Sequence, residues 1–233
     1  MLTTARLRLR PWRDEDLEPF AALNADPRVR EFFPSLQTRQ ESAESMRYID
    51  DHFRRHGFGL WAAEVNGTAP FIGFIGLSVP SFDAPFMPCV ELGYRLAFEH
   101  WGRGYATEGA RAAIAFGFET LGLAEIVAMT AFGNKRSRRV MERVGMKRNA
   151  ADDFDHPNII AGHSLRRHVL YRLTARDWQL STSERRSAQP VDMRTTNPSA
   201  FSDVAPASRK SSIFLRRIVG VVFMRVNSKC AHH

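Results

Sequence analysis

The stretch Leu92-Gly-Tyr-Arg-Leu-Ala-Phe-Glu-His-Trp101-Gly-Arg-Gly-Tyr-Ala-Thr-Glu108 decides the fold. Read from Val90, the residues Val90, Leu92, Tyr94, Leu96 and Phe98 alternate with Glu91, Gly93 and Arg95. That period of two describes a strand with one apolar face. The strand enters a short loop, His100 to Gly104, which opens a helix expected from about Tyr105 to Leu121. The first N–H groups of a helix have no intrahelical partner, and its dipole places partial positive charge there. Gly102 and Gly104 would let an anion come close to the backbone, and Arg103 adds a full charge. In form, then, this is a phosphate site. The dinucleotide fingerprint fails because the loop sits mid-chain, and no Gly-Lys-Ser/Thr follows for a nucleotide-hydrolysing loop.

On the N-terminal side, Leu2 to Leu9 alternates as one strand, with Leu7 and Leu9 inward and Arg6, Arg8 and Arg10 outward. Asp14 opens a helix with Leu17, Phe20, Ala21 and Leu23 on its stripe. Thr38 and Glu41 have the form of a capping box, and the helix they start carries Met46, Ile49 and Phe53 to Gly57. Gly59 to Val65 and Phe71 to Val79 form a hairpin through Asn66-Gly67. On the C-terminal side come a strand at Ile126 to Thr130 and a helix at Lys135 to Val144 closed by Gly145. A strand near Met146, a polar loop from Asp152 to Ser164 and a strand at His168 to Leu173 follow. The pattern is one α/β domain of α+β type. Its mixed, mostly antiparallel sheet has about six to seven strands flanked by helices.

Composition bounds the rest. The chain has 233 residues, 44% hydrophobic and 25% charged, enough for one substantial core. Two distant cysteines, Cys89 and Cys230, make no disulfide framework and point to a reducing, cytoplasmic setting. No signal-peptide apolar region and no membrane-length apolar run are present, so no transmembrane segment is expected. The net charge is +8, but beyond Leu180 nine basic residues face three acidic ones, a surplus of six. The body is nearly balanced, so no specific nucleic-acid partner is expected. Residues 1–178 read as the folded domain. Residues 179–233 read as a basic, disordered tail with a short apolar segment at 213–226.

With these motifs in place, the chain resembles the GNAT superfamily of N-acetyltransferases. The resemblance rests on Trp101-Gly102-Arg103-Gly104-Tyr105-Ala106, where Trp101 stands in the family's Gln or Arg position. It rests also on Asn134-Lys-Arg-Ser137 through Val144-Gly145-Met146, and within the superfamily it is nearest to the ribosomal-protein N-acetyltransferase (RimJ/RimL) branch. It implies that acetyl-CoA lies where the Glu91–Phe98 strand splays from the Ile126–Thr130 strand. Backbone groups of Tyr94 and Leu96 would bond the pantetheine, and the amides of 102–106 would hold the pyrophosphate. Asn134 would fix the pantetheine arm.

Chemistry then narrows to a few side chains. Attack on a thioester needs a neutral amine, and Glu91 on the polar strand face is the candidate base, with pairing to Arg95 as the plain alternative. The superfamily's acidic Tyr is replaced by Met141, leaving Ser137 as a hydrogen-bond donor to the departing sulfur. Cys89 could carry acetyl only with an activating base, of which the sequence shows none. Asp152, Asp153, Asp155, His156, His163 and His168 match no zinc spacing, and no metal is expected. Glu31-Phe-Phe-Pro34 and Tyr48 are candidates to shape an acceptor pocket. The expected partners are acetyl-CoA and an amine, with a protein N-terminus first and a small-molecule amine second. A non-catalytic acyl-CoA-binding module is the reading from another class, and a monomer or homodimer is expected.

Overall fold

The computed structural model describes residues 1–187. Most of the basic surplus, the polar stretch after Ala188 and the apolar segment 213–226 lie outside the described residues. The first compact unit runs from Met1 to Pro190.

Among the described residues nine strands form one sheet: β1 (Leu2–Thr3), β2 (Leu7–Arg10), β3 (Leu60–Val65), β4 (Ala69–Ser78), β5 (Glu91–Leu96), β6 (Glu125–Ala131), β7 (Lys147–Arg148), β8 (Phe154–Asp155) and β9 (Arg167–Thr174). Their order is β1-β2-β3-β4-β5-β6-β9-β7, with β8 also on β9. The count exceeds the expected six to seven because β1, β7 and β8 are two-residue strands, too short for any periodicity to reveal. Every pairing is antiparallel except β5 with β6, whose register holds at Glu91 and Val127. Val127 N donates to Val90 O at 2.9 Å, and beyond this point the two strands part.

Among the described residues five α-helices flank the sheet: α1 (Leu17–Ala25), α2 (Arg39–His56), α3 (Tyr105–Ala115), α4 (Lys135–Arg143) and α5 (Ala175–Ser187). The capping box at Thr38 and Glu41 is formed in both directions, and Gly57 closes α2 in the left-handed region at φ 74°. The Asn66-Gly67 turn joins β3 to β4 as read. The helix from Tyr105 ends as α-helix at Ala115 and continues as one wider turn, Phe116–Thr120.

Strand alternation sends side chains to two layers. Ile75, Leu77, Leu92, Leu96 and Ile126 enter the main core with Ala110, Ala113 and Ile114 of α3 and Met141 of α4. Each such aliphatic side chain contributes roughly 1.5–3 kcal/mol by leaving water. On the opposite face Phe74 of β4 packs with Phe20 and Leu23 of α1 and with Val29. The face carrying α1 and α2 is therefore distinct from the face carrying α3 and α4.

Two N-terminal expectations are corrected. Leu2 to Leu9 is not one strand but a tight hairpin in which Leu2 pairs with Leu9. Thr4 N donates to Leu7 O at 2.8 Å and Leu7 N donates to Thr4 Oγ1 at 2.9 Å, so the threonine side chain supplies the turn. Arg10 points inward and is 3% exposed. It donates to both Asp16 oxygens at 2.7 and 2.8 Å and to Glu64 at 2.9 Å, which compensates the buried charge. At the other end, Trp178 is buried in the main core, and its helix α5 runs on to Ser187.

Candidate active site

A cleft of about 730 Å³ opens where β5 and β6 part. β5 divides it. Because Val90 O bonds β6, alternation turns the backbone groups of Leu92, Tyr94 and Leu96 toward the gap. Leu92 still belongs to the bridge at Glu91 and Val127, so Tyr94 and Leu96 are the ladder positions beyond it, of the kind an extended amide-bearing chain can pair with. Leu96 O is already engaged, however, by Trp101 Nε1 at 2.8 Å. Trp101, expected as a cofactor residue, thus ties the glycine loop back onto β5, with the Arg136 guanidinium 4.9 Å from its ring.

The loop itself is arranged for an anion. Gly102 and Gly104 have φ of 73° and 81°, where a side chain costs about 1–2 kcal/mol. Gly104 caps α3, and the amides of Gly102, Arg103, Gly104, Tyr105 and Ala106 have no acceptor among the described residues. An anion with oxygens to share would satisfy them. Glu108, in the first turn of α3, receives Thr4 Oγ1 at 2.6 Å and Arg6 N at 2.9 Å. Burial pushes its carboxyl up, but these bonds outweigh burial and hold it below the usual range. The N-terminal hairpin is thereby fastened beside the loop, and Arg6 Nη1 donates to Arg103 O at 2.9 Å.

Asn134 caps α4: its Oδ1 accepts from Ser137 N at 3.1 Å and its Nδ2 donates to Thr130 Oγ1 at 3.0 Å. Both ends of its side chain are used within the protein. Ser137 meets an unexpected partner. The Tyr94 hydroxyl donates to Ser137 O at 2.9 Å and lies 2.9 Å from Ser137 Oγ, which joins β5 to α4. With the phenol proton on the carbonyl, the serine hydroxyl donates to the phenol oxygen. Met141, in the position where a Tyr was sought, is 2% exposed in the core. Tyr94 was expected to contribute only its backbone, and nothing in the sequence announces that its hydroxyl reaches α4.

Glu91 lies on the other face of β5, at the floor of the cleft where the strands separate. It keeps some exposed surface, yet the surrounding protein strips most of its hydration. That desolvation raises its carboxyl to about 7. It is not paired with Arg95. The two share a face but stand four residues apart, on the order of 13 Å along the strand. His156, in the same cleft, is pushed down to about 4 by burial and by neighbouring His168, so it is neutral at pH 7. Cys89 is raised to about 11, chiefly by burial and then by Glu91, so its thiolate is scarce. Among the described residues no group of three His, Cys, Asp or Glu side chains is placed to hold a metal.

Of the N-terminal pocket candidates, Phe32, Phe33 and Pro34 line the cleft, while Glu31 pairs with Arg136 outside it. Tyr48 is exposed on α2 and does not line it.

A sheet split beside a glycine loop at a helix N-terminus makes a cleft open to an extended, phosphate-bearing ligand. The chain belongs to the acetyltransferase (GNAT) family, whose domain matches residues 6–147. It is 34% identical over 146 residues to the uncharacterized protein YkkB of Bacillus subtilis, covering 62% of this chain and 84% of that one. It is 32% identical over 188 residues to the FsC-acetyl coenzyme A-N(2)-transacetylase of Aspergillus fumigatus, covering 76% and 77% respectively. Among solved structures, an acetyltransferase of Agrobacterium tumefaciens superposes with TM-score 0.59 at 28% identity, over 74% of this chain and 92% of that one. The chain is thus an N-acetyltransferase of a family that uses acetyl-CoA.

Proposed function

We propose that this enzyme transfers acetyl directly from acetyl-CoA to an α-amino group, with the N-terminal amine of a protein as acceptor, as in the RimJ/RimL branch. The observation that carries the reading is Glu91, a desolvated carboxylate at about 7 in the strand gap. A base near 7 suits an α-amine, whose pKa is about 7.7–8.0, better than a lysine near 10.4.

In this reading the amides of 102–106 and Arg103 hold the pyrophosphate, and the strand edge at Tyr94 and Leu96 aligns the pantetheine. Asn134 holds the α4 N-terminus against β6 beside that arm. Glu91 accepts the amine proton, directly or through one water, as nitrogen bonds the acyl carbon. The carbon–sulfur bond then breaks, and the sulfur leaves with the electron pair. Ser137, held by Tyr94, turns its one hydroxyl proton from the phenol oxygen toward it. Cys89 takes no part, since its proton is held too tightly.

A small-molecule amine is the second reading, favoured by the aromatic wall of Phe32 and Phe33 and by the relative named for an N(2) amine. The test follows CoA thiol release from acetyl-CoA with N-terminal peptides, lysine-bearing peptides and small amines. Faster turnover of α-amines in peptides supports the first reading, and exclusive use of small amines replaces it with the second. Acetyl-CoA binding without turnover of any amine would overturn both.

A further inference from the structure

A buried guanidinium ordinarily has a carboxylate, as Arg10 has in Asp16. Arg95 sits deep in the cleft, and among the described residues no carboxylate lies within ion-pair distance of it. Its Nη1 donates to Asn24 Oδ1 at 2.7 Å. Its Nε is shielded from solvent and has no hydrogen-bond partner, and Nη2 likewise meets no acceptor among the described residues. The guanidinium lies 4.1 Å from the Phe33 ring centre and 5.2 Å from that of Phe74. A second cation, Arg30, stands 4.5 Å from the same Phe33 ring, with its Nε on Ser35 O. Burial first, then Arg30, lowers Arg95 to about 9, and burial also lowers Arg30. Among the described residues no carboxylate pairs with Arg95 at this end of the cleft, while Arg30 behind it feels the charge of Glu41 in the first turn of α2.

Arg95 is also held still. Asn24, fully buried, donates to Ser42 Oγ at 3.1 Å, and Ser42 Oγ donates to Thr38 O at 2.9 Å at the start of α2. That chain fixes Nη1, and with Nε shielded from solvent it leaves Nη2 as the donor that a carboxylate oxygen can reach.

We propose that the acceptor amine carries a carboxylate and that Arg95 receives it through Nη2. The inference rests on the reading of Glu91's face as the acceptor side. Arg95 and Glu91 project from that one face of β5, opposite the Tyr94–Ser137 contact. Between them Gly93 has no side chain, and Leu60 borders the strip, its Cδ2 3.0 Å from where a Cβ on Gly93 would stand. An acceptor spanning roughly 13 Å or less, with its amine at Glu91 and its carboxylate at Arg95, fits this strip. The carboxylate comes either from an acidic side chain near a peptide N-terminus or from a small amino acid.

The test measures kcat/KM of the full chain with acceptor pairs differing only as carboxylate and amide. One arm uses peptides with Asp against Asn near the amine, and the other uses small amines with and without a carboxylate. The expected preference is about 10- to 100-fold for the carboxylate in at least one arm, which also identifies its source. Arg95→Met should abolish it with an unchanged KM for acetyl-CoA, and Arg95→Lys, which keeps the charge but shortens its reach, should keep part of it. Equal rates within every pair, or a preference that survives in Arg95→Met, would overturn the proposal. If no amine is acetylated at all, the acceptor reading fails, and thermal protection by glutamate still reads the site. Protection lost in Arg95→Met supports the anion site, and absent protection removes it.

Discussion

The Tyr94 phenol and the Ser137 hydroxyl lie 2.9 Å apart and bridge β5 to the first turn of α4. The contact falls on the α3/α4 face of the sheet, whereas Glu91, three residues before Tyr94, falls on the α1/α2 face. A pleated strand separates alternate side chains without any further device. One strand can thereby present a proton acceptor to one side of the reacting thioester and a hydrogen-bond donor to the other.

Glu91→Gln should lower kcat by about 10²- to 10⁴-fold while leaving the KM for acetyl-CoA nearly unchanged. Below pH 7 the wild-type kcat/KM should fall with a log slope approaching two, because both Glu91 and the amine must lose a proton. The variant should fall with a slope of one. Stability carries the opposite sign. The native carboxyl at about 7 lies above its ordinary 4.5, so the native state holds the extra proton between these values, and stability declines as pH rises through that window. Unfolding followed from pH 4 to 8 should show Glu91→Gln gaining on the order of 3 kcal/mol at the alkaline end. A slope of two in the variant would remove Glu91 as the base.

Tyr94→Phe and Ser137→Ala should each reduce kcat by roughly tenfold, and the double variant should lose little more than either. Residues sharing one hydrogen bond act as a unit, so their effects are not additive. Steady-state rates of the four proteins close the cycle. Fully additive losses would mean that the two hydroxyls work independently.

Gly104→Ala forces a side chain into the left-handed region, with its Cβ 3.4 Å from the Arg6 guanidinium. The strain costs about 1–2 kcal/mol, which the loop can relieve by tilting its amides away from the anion. The expected result is a raised KM for acetyl-CoA with a smaller change in kcat, measured at saturating acceptor. An unchanged KM would dissociate the loop from the cosubstrate.

We propose that residues 1–187 form the complete catalytic domain. Trp178 is buried in the core, and Asp177 holds Lys147 at 3.1 Å, so α5 belongs to the body. A chain ending at Ser187 should match the full chain in melting temperature and turnover. Loss of either would assign a structural or catalytic part to 188–233.

The strand, glycine loop and helix from Glu91 to Ala115, the Thr38 box and the Asn66-Gly67 hairpin were legible in the sequence. Each is specified by residues within a turn or two of one another, through alternation, capping and backbone freedom. Alternation also placed Glu91 and Arg95 on one face. What those side chains face was decided by tertiary structure. Arg95 meets Asn24 across 71 positions, and Tyr94 meets Ser137 across 43. Arg10 turned inward because Asp16 and Glu64 wait there, against its polar pattern. Periodicity says which way a side chain leaves the strand. Only the packed layers supply its partner, its loss of water and hence its chemistry.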